Sequence, residues 1–178
     1  MKDVRPTAGK VLQALFNILG PMAGRSFLDL FSGTGRVSLE AYKRGASSVY
    51  AIESVRSRCQ NIRKTMAGET KEDLHLLCMD VRRALTWLSR KKLVFDIVFA
   101  DPPYHEGWPG ELLLLMEEKK EILRPGGELI IEHSVREMPP DTEEVFMLKD
   151  QRRYGDTILS FYISRTESDQ ILPLEGKR

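Results

Sequence analysis

The sequence predicts an α/β protein: a doubly wound, Rossmann-like sheet of seven strands, parallel except for an antiparallel hairpin at its C-terminal edge. Three observations predict it. Short runs of Val, Ile, Leu and Phe alternate with stretches of helical period, the pattern of βαβ units. The runs are apolar almost throughout, as strands covered on both faces must be. The last two runs, Val145–Lys149 and Thr157–Ser164, follow one another without an intervening helix, so they can pair only as a hairpin.

Taken in order, residues 1–24 form an extended lead-in and a first helix. Thr7 is placed to cap that helix, and Val11, Leu12, Leu15, Phe16, Ile18 and Leu19 make its apolar stripe until Gly20-Pro21 ends it. Phe27-Leu28-Asp29-Leu30-Phe31 reads as the first strand, and Ser32-Gly33-Thr34-Gly35 turns into a helix over residues 36–44. Val49–Glu53 is the second strand, followed by a helix that Gly68 interrupts. Leu74–Met79 is the third strand and Val81–Leu88 the next helix. Phe95–Asp101 is the fourth strand. A helix over Leu112–Leu123 is expected to stop at Pro125-Gly126-Gly127, before a fifth strand over Glu128–Glu132. The closing hairpin is expected to join through Arg152-Arg153-Tyr154-Gly155-Asp156. One domain is expected over residues 1–165, with 166–178 a frayed polar tail.

The 178 residues are 42% hydrophobic and 30% charged with a net charge of +1, values of an ordinary globular chain without a global field for nucleic acid. Cys59 and Cys78 stand 19 apart without metal-ligand spacing, and His75, His105 and His133 are scattered, so free thiols and no metal site are expected. Without a membrane-length apolar run or a signal-peptide core, the expected location is the cytoplasm, with no membrane partner and a monomeric state.

The chemistry is concentrated where strands end. Glu53, Asp80 and Asp101 close successive strands, and Asp29 precedes the Gly33-Thr34-Gly35 turn. In a parallel sheet these ends share one rim, which brings four carboxylates to one crevice. Glu53 lies 20 residues beyond Gly33, the separation at which an acid accepts from a ribose hydroxyl. Ser38 occupies the third position of the dinucleotide fingerprint, and no lysine neutralises a phosphate. A rim of acids suits a cationic nucleoside without phosphates, and S-adenosylmethionine answers that description. At Asp101-Pro102-Pro103-Tyr104 two prolines stop the strand dead and hold Asp101 extended. The carboxylate and a Pro carbonyl can accept the hydrogens of an exocyclic amine while Tyr104 stacks on its ring.

These motifs resemble the RsmD family: Arg5-Pro6-Thr7, Ala14-Leu15-Phe16-Asn17-Ile18-Leu19, Leu28 to Gly35, Leu39-Glu40-Ala41 with Arg44-Gly45-Ala46, Asp101 to Tyr104, and Tyr154-Gly155-Asp156-Thr157. Arg36 and Ser38 depart from the smaller residue and glycine common there. The resemblance implies a class I methyltransferase that moves a methyl group from S-adenosylmethionine to the N2 amine of a guanine in 16S ribosomal RNA, leaving S-adenosylhomocysteine. It implies Asp101, Pro102, Pro103 and Tyr104 as catalytic. Asp29, Phe31, Ser32, Gly33, Gly35, Glu53, Asp80 and Val81 would hold the cofactor. Arg5, Lys149, Arg152 and Arg153 are candidate RNA contacts, and the partner is 16S rRNA or the small ribosomal subunit. Two rivals stay open. A DNA adenine-N6 methyltransferase uses the same corner but needs added target-recognition elements, and an RNA-binding assembly factor would lack catalysis. A nicotinamide oxidoreductase ranks last, because it would close with another βαβ unit.

Overall fold

The computed structural model describes residues 8–68, 72–140 and 145–166. Its elements are α1 (Ala8–Leu19), β1 (Ser26–Asp29), α2 (Arg36–Lys43), β2 (Ser48–Glu53), α3 (Arg56–Met66), β3 (Leu74–Cys78), α4 (Val81–Arg90), β4 (Phe95–Ala100), α5 (Trp108–Glu118), a 3-10 turn (Lys120–Ile122), β5 (Leu123–Ser134), β6 (Phe146–Tyr154) and β7 (Thr157–Ser164). They form one seven-stranded sheet in the order β3-β2-β1-β4-β5-β7-β6. The first five strands are parallel, and β7 runs antiparallel to both β5 and β6. Thr7 and the polar tail beyond Thr166 lie outside the described residues.

Strand alternation divides the core into two layers. Phe27, Val49, Ile97, Phe99 and Ile130 pack with Leu15 and Phe16 of α1 and Ala41 and Tyr42 of α2. Their neighbours Leu28, Ile52, Val98, Leu129 and Ile131 face Ala84, Leu85 and Leu88 of α4 and Leu112 and Met116 of α5. Successive side chains of a strand point to opposite faces, so an unbroken apolar run supplies both layers at once.

Three expectations are corrected. Helix α5 begins at Trp108, with Pro109 in its first turn where a missing N–H costs nothing, and ends at Glu118. Pro125-Gly126-Gly127 therefore does not stop a helix; it bulges within β5, where the pairing skips from Phe95↔Leu123 to Ile97↔Glu128. The hairpin joint is also tighter: Arg152, Arg153 and Tyr154 belong to β6, leaving Gly155 (φ +65°) and Asp156 as the turn. Cys59 and Cys78 are not free thiols but a disulfide, with Cα atoms 6.0 Å apart. Packing of α3 against β3 makes that contact, which linear spacing does not reveal.

The bulge has a sharp steric requirement. A Cβ on Gly127 would stand 2.8 Å from the Arg124 carbonyl and 3.0 Å from that of Asp96, both of them backbone. Gly126 has open space but a φ of +75°. Gly127→Ala is therefore expected to cost about 1–3 kcal/mol, the usual range for overpacking. Gly126→Ala should cost about 1–2 kcal/mol, from left-handed backbone strain alone. Urea unfolding of the two variants checks this; a Gly127→Ala protein as stable as the parent would refute the bulge.

Candidate active site

The sheet reverses its winding between β1 and β4, and in such sheets a crevice opens at the carboxyl ends of the two strands on either side of that switch. Asp29 pairs in register with Phe99, and the Leu30 N–H donates to the Phe99 carbonyl at 2.9 Å. The strand ends carrying Asp29 and Asp101 therefore emerge side by side. Their proximity has an electrostatic signature: the Asp101 charge helps raise the pKa of Asp29.

Asp29 is wholly buried beneath the glycine turn, with its Oδ2 accepting from the Ser38 hydroxyl at 2.6 Å and its Oδ1 unpartnered. Burial, against the opposing hydrogen bond from Ser38, pushes its pKa up to about 7. Asp29 is thus the floor of the crevice rather than an open rim acid, and Ser38 has a role that a glycine there could not play. Ser32 is buried too; its N–H donates to the Ile52 carbonyl at 2.8 Å and its hydroxyl to the Asp29 carbonyl at 3.1 Å. Gly35 has φ +77°, and its N–H closes the turn on Ser32 at 2.6 Å. A Cβ there would press on Ile62 at 3.2 Å, so the turn and the seating of α3 both require glycine.

Glu53 is 6% exposed and binds the turn across the β1–β2 gap. Its Oε2 accepts from the Gly33 N–H at 2.9 Å and its Oε1 from the Val55 N–H at 2.7 Å. Each oxygen retains a second lone pair for a ligand hydroxyl. Asp80 caps α4 by accepting from the Arg82 N–H at 2.9 Å. Val81 buries its side chain in the core as the first residue of that helix. Phe31 is half-buried, its ring meeting Trp108 edge-on at 5.0 Å. The Arg82 guanidinium covers the same indole at 4.4 Å and bonds Glu111 at 2.6 Å. Trp108 and Arg82 thus pack in series beside Phe31, a cluster that motif reading missed; Pro109, in the first turn of α5, was the available signal.

At the corner Asp101 is exposed, Pro102 buried and Tyr104 half-buried. The Tyr104 hydroxyl lies 3.1 Å from that of Thr157, which ties the corner to the start of β7. His105 takes φ +66°, unusual outside glycine, and its N–H is held by Glu137 at 2.8 Å; the Gly107 N–H is held by the same carboxylate at 2.6 Å. A cleft of about 470 Å³ opens beside the corner, bounded by Tyr104, His105, Ser134, Arg136 and residues 154–157. Its far wall is stiffened by His133, which is buried. The His133 Nδ1 lies 3.0 Å from the Ser134 carbonyl and so carries the proton, leaving Nε2 to accept from Ser160 at 2.7 Å. Desolvation lowers its pKa, in keeping with a neutral ring.

Of the candidate RNA contacts, Arg5 lies outside the described residues. Arg152 and Arg153 stand near the rim end of β6; the first pairs with Asp150 at 2.7 Å and the second donates to the Gly155 carbonyl at 2.8 Å. Lys149 reaches Glu128 at 3.8 Å, near the opposite end of the sheet. The structure therefore does not bring Lys149 to the crevice. No group of His, Cys, Asp and Glu that could hold a metal occurs among the described residues.

The sheet order, its switch-point crevice and its antiparallel edge define a Rossmann-like methyltransferase fold. The family described as "Conserved hypothetical protein 95" matches residues 1–163, and the chain belongs to it, the RsmD family. YlbH of Bacillus subtilis is 30% identical over 171 residues, covering 92% of this chain and 89% of that one. Ribosomal RNA small subunit methyltransferase D of Haemophilus influenzae is 30% identical over 164 residues, 86% of this chain and 80% of that one. Among solved structures, yhhF from Escherichia coli superposes with a TM-score of 0.79 at 27% identity, covering 93% and 90% of the two chains. An RNA methyltransferase from Salinibacter ruber, in complex with S-adenosyl-L-homocysteine, shares the fold at a TM-score of 0.68 and 16% identity, over 98% and 100% of the chains.

Asp29 makes a prediction independent of any ligand. Its folded pKa is raised from 3.8 to about 7, so the folded state holds a proton that the unfolded chain releases. Its contribution to stability is complete below pH 3.8, declines as pH rises and is gone above about 7. Asp29→Asn keeps an acceptor for Ser38 and removes the titration. The variant should gain stability relative to the parent as pH rises through this window. Parallel stability–pH curves would show that Asp29 does not titrate as assigned.

Proposed function

We propose that this protein transfers a methyl group from S-adenosylmethionine to the exocyclic N2 amine of a guanine in 16S ribosomal RNA. The observation that carries the reading is the juxtaposition, across the β1–β4 switch point, of the acid-floored glycine turn with the Asp101-Pro102-Pro103-Tyr104 corner. Its family membership and the small-subunit rRNA methyltransferase among its relatives support the substrate class. They favour RNA over DNA adenine. The acid corner and glycine turn, both intact, favour an enzyme over a non-catalytic assembly factor.

The donor set fits the cofactor. The unpartnered Asp29 Oδ1 is an acceptor without a donor, at a carboxyl that titrates near neutrality, and a cationic ligand would stabilise its ionised form. Glu53 has lone pairs to spare for ribose hydroxyls, and Asp80 with the Val81 N–H, a first-turn helix donor, suits an adenine edge. Phe31, Ser32 and the Gly33–Gly35 backbone would line the seat between them. When bound, the cofactor supplies a methyl group made electrophilic by a sulfonium.

The rest is work for the corner. Asp101 and the Pro102 carbonyl accept the two hydrogens of the target amine and turn its lone pair toward the crevice. Pro103 keeps the carbonyls from rotating, and Tyr104 offers its ring face to the base. A conjugated amine is a poor nucleophile, so alignment carries much of the rate; holding reactants at near-attack distance removes roughly 7–11 kcal/mol of barrier. As positive charge develops on nitrogen, the Asp101 carboxylate stabilises it, and the methylated amine then returns to neutrality by losing one proton to solvent. The base must leave its stack to reach the corner, so the substrate is a loop or an everted nucleotide. Arg5, Arg152 and Arg153 are suited to backbone phosphates, and the enzyme acts as a cytoplasmic monomer on rRNA or the small subunit.

Radiolabel transfer to 16S rRNA, with nucleoside digestion of the product, tests the assignment. Asp101→Ala should lower the rate by at least about 10²-fold, the scale of one lost transition-state contact, while cofactor affinity is kept. Glu53→Ala should weaken cofactor binding in calorimetry. Parental turnover by the first variant, or an unchanged titration by the second, would remove that residue from its role.

A further inference from the structure

We infer that the cleft between the Asp101–Tyr104 corner and the β6–β7 turn seats the everted nucleotide, with Arg136 pairing its backbone phosphate. This rests on the RNA methyltransferase reading above and adds to it a binding residue outside the recognised motifs. The cleft's volume of about 470 Å³ falls within the roughly 300–1,000 Å³ of small-ligand sites, enough for one nucleotide but not for a duplex. It adjoins the corner through Tyr104, so a base stacked on that ring leaves its sugar and phosphate in the cleft.

The charges within it are arranged for such a guest. Arg136 is exposed, and its guanidinium makes no hydrogen bond or ion pair among the described residues, unlike Arg82, Arg152 and Arg153, each of which has a partner. A planar guanidinium matches a phosphate bidentately, and it requires no prior contact to be broken here. Asp156 lines the side formed by the hairpin turn. A carboxylate there repels phosphate and accepts from base or sugar donors, so the nucleotide has one favoured orientation.

The walls are held in place independently of the guest. Arg136 donates its own N–H to the Ser134 hydroxyl at 3.2 Å. The next residue, Glu137, clamps the His105 and Gly107 N–H groups of the facing loop. Thr157 anchors Tyr104 from the other side. His105 is left-handed, and such backbone strain persists where the surroundings overdetermine it.

The test is binding of a short single-stranded RNA containing guanines, followed by fluorescence anisotropy across a salt series. Arg136→Gln should bind about 5- to 10-fold more weakly and lower the salt slope by about 0.7, the value for one lost phosphate contact on a single strand. Arg136→Lys should recover most of both. Arg90→Gln, which alters a cation at the far end of α4 on the opposite rim, should bind like the parent. Unchanged affinity and slope in Arg136→Gln, an equal loss in Arg90→Gln, or no salt-dependent RNA binding by the parent would each overturn the inference. If the parent binds RNA through Arg136 yet transfers no methyl group, the methyltransferase reading fails while the cleft assignment stands.

Discussion

The parallel pairing of β1 with β4 is the constraint from which the site follows. Chain connectivity places β2 and β3 on one side of β1, and β4 must then return to the other side. The helices after β1 and β4 diverge, and nothing in the sheet fills the gap between their starting points. The Leu30–Phe99 hydrogen bond extends the pairing one residue past β1 itself. It brings the buried carboxyl of Asp29 and the exposed carboxyl of Asp101 to the same opening. Burial is what holds Asp29 toward its neutral form, and the Asp101 charge adds to that push.

That asymmetry distinguishes the two acids by environment rather than by residue type. Asp29 lies buried with the Ser38 hydroxyl on one carboxyl oxygen and the other unpartnered. Asp101 is exposed to solvent at a proline-locked corner. Glu53 has a structural task of its own. By holding the Gly33 N–H it couples the shape of the turn to the end of β2.

The parts of this arrangement legible in the sequence are those encoded by contiguous residues. Strand runs, the glycine turn, the proline corner and the edge hairpin all depend on local backbone chemistry, and they were readable as such. Elements whose limits depend on tertiary packing were not. Pro125-Gly126-Gly127 has the composition of a helix stop, yet the chain uses it to bulge a strand against Asp96. The Cys59–Cys78 bond joins a helix to a strand end, and Ser38 finds Asp29 across the turn. None of these pairs has a spacing signature. Side-chain burial is likewise invisible to motif order: Asp29 and Glu53 read alike as strand-end acids, but one is a protonatable floor and the other a backbone clamp.

The antiparallel edge then acquires a purpose beyond ending the sheet. A further βαβ unit would place a helix beside β5, whereas a hairpin returns the chain to the rim through a two-residue turn. Because β7 starts at Thr157 opposite Ser134, that turn arrives level with the proline corner. One hydroxyl pair, Tyr104 with Thr157, then suffices to make corner and hairpin a single wall. The polar contacts continue behind it, from Ser134 through His133 to Ser160 and on to Gln151 of β6, whose amide donates to the same serine at 2.8 Å. Each buried polar group in that chain has a partner, which favours one geometry over a set of loose ones. The base clamp proposed for this corner would need that rigidity, since an amine misplaced by an ångström would forfeit its alignment.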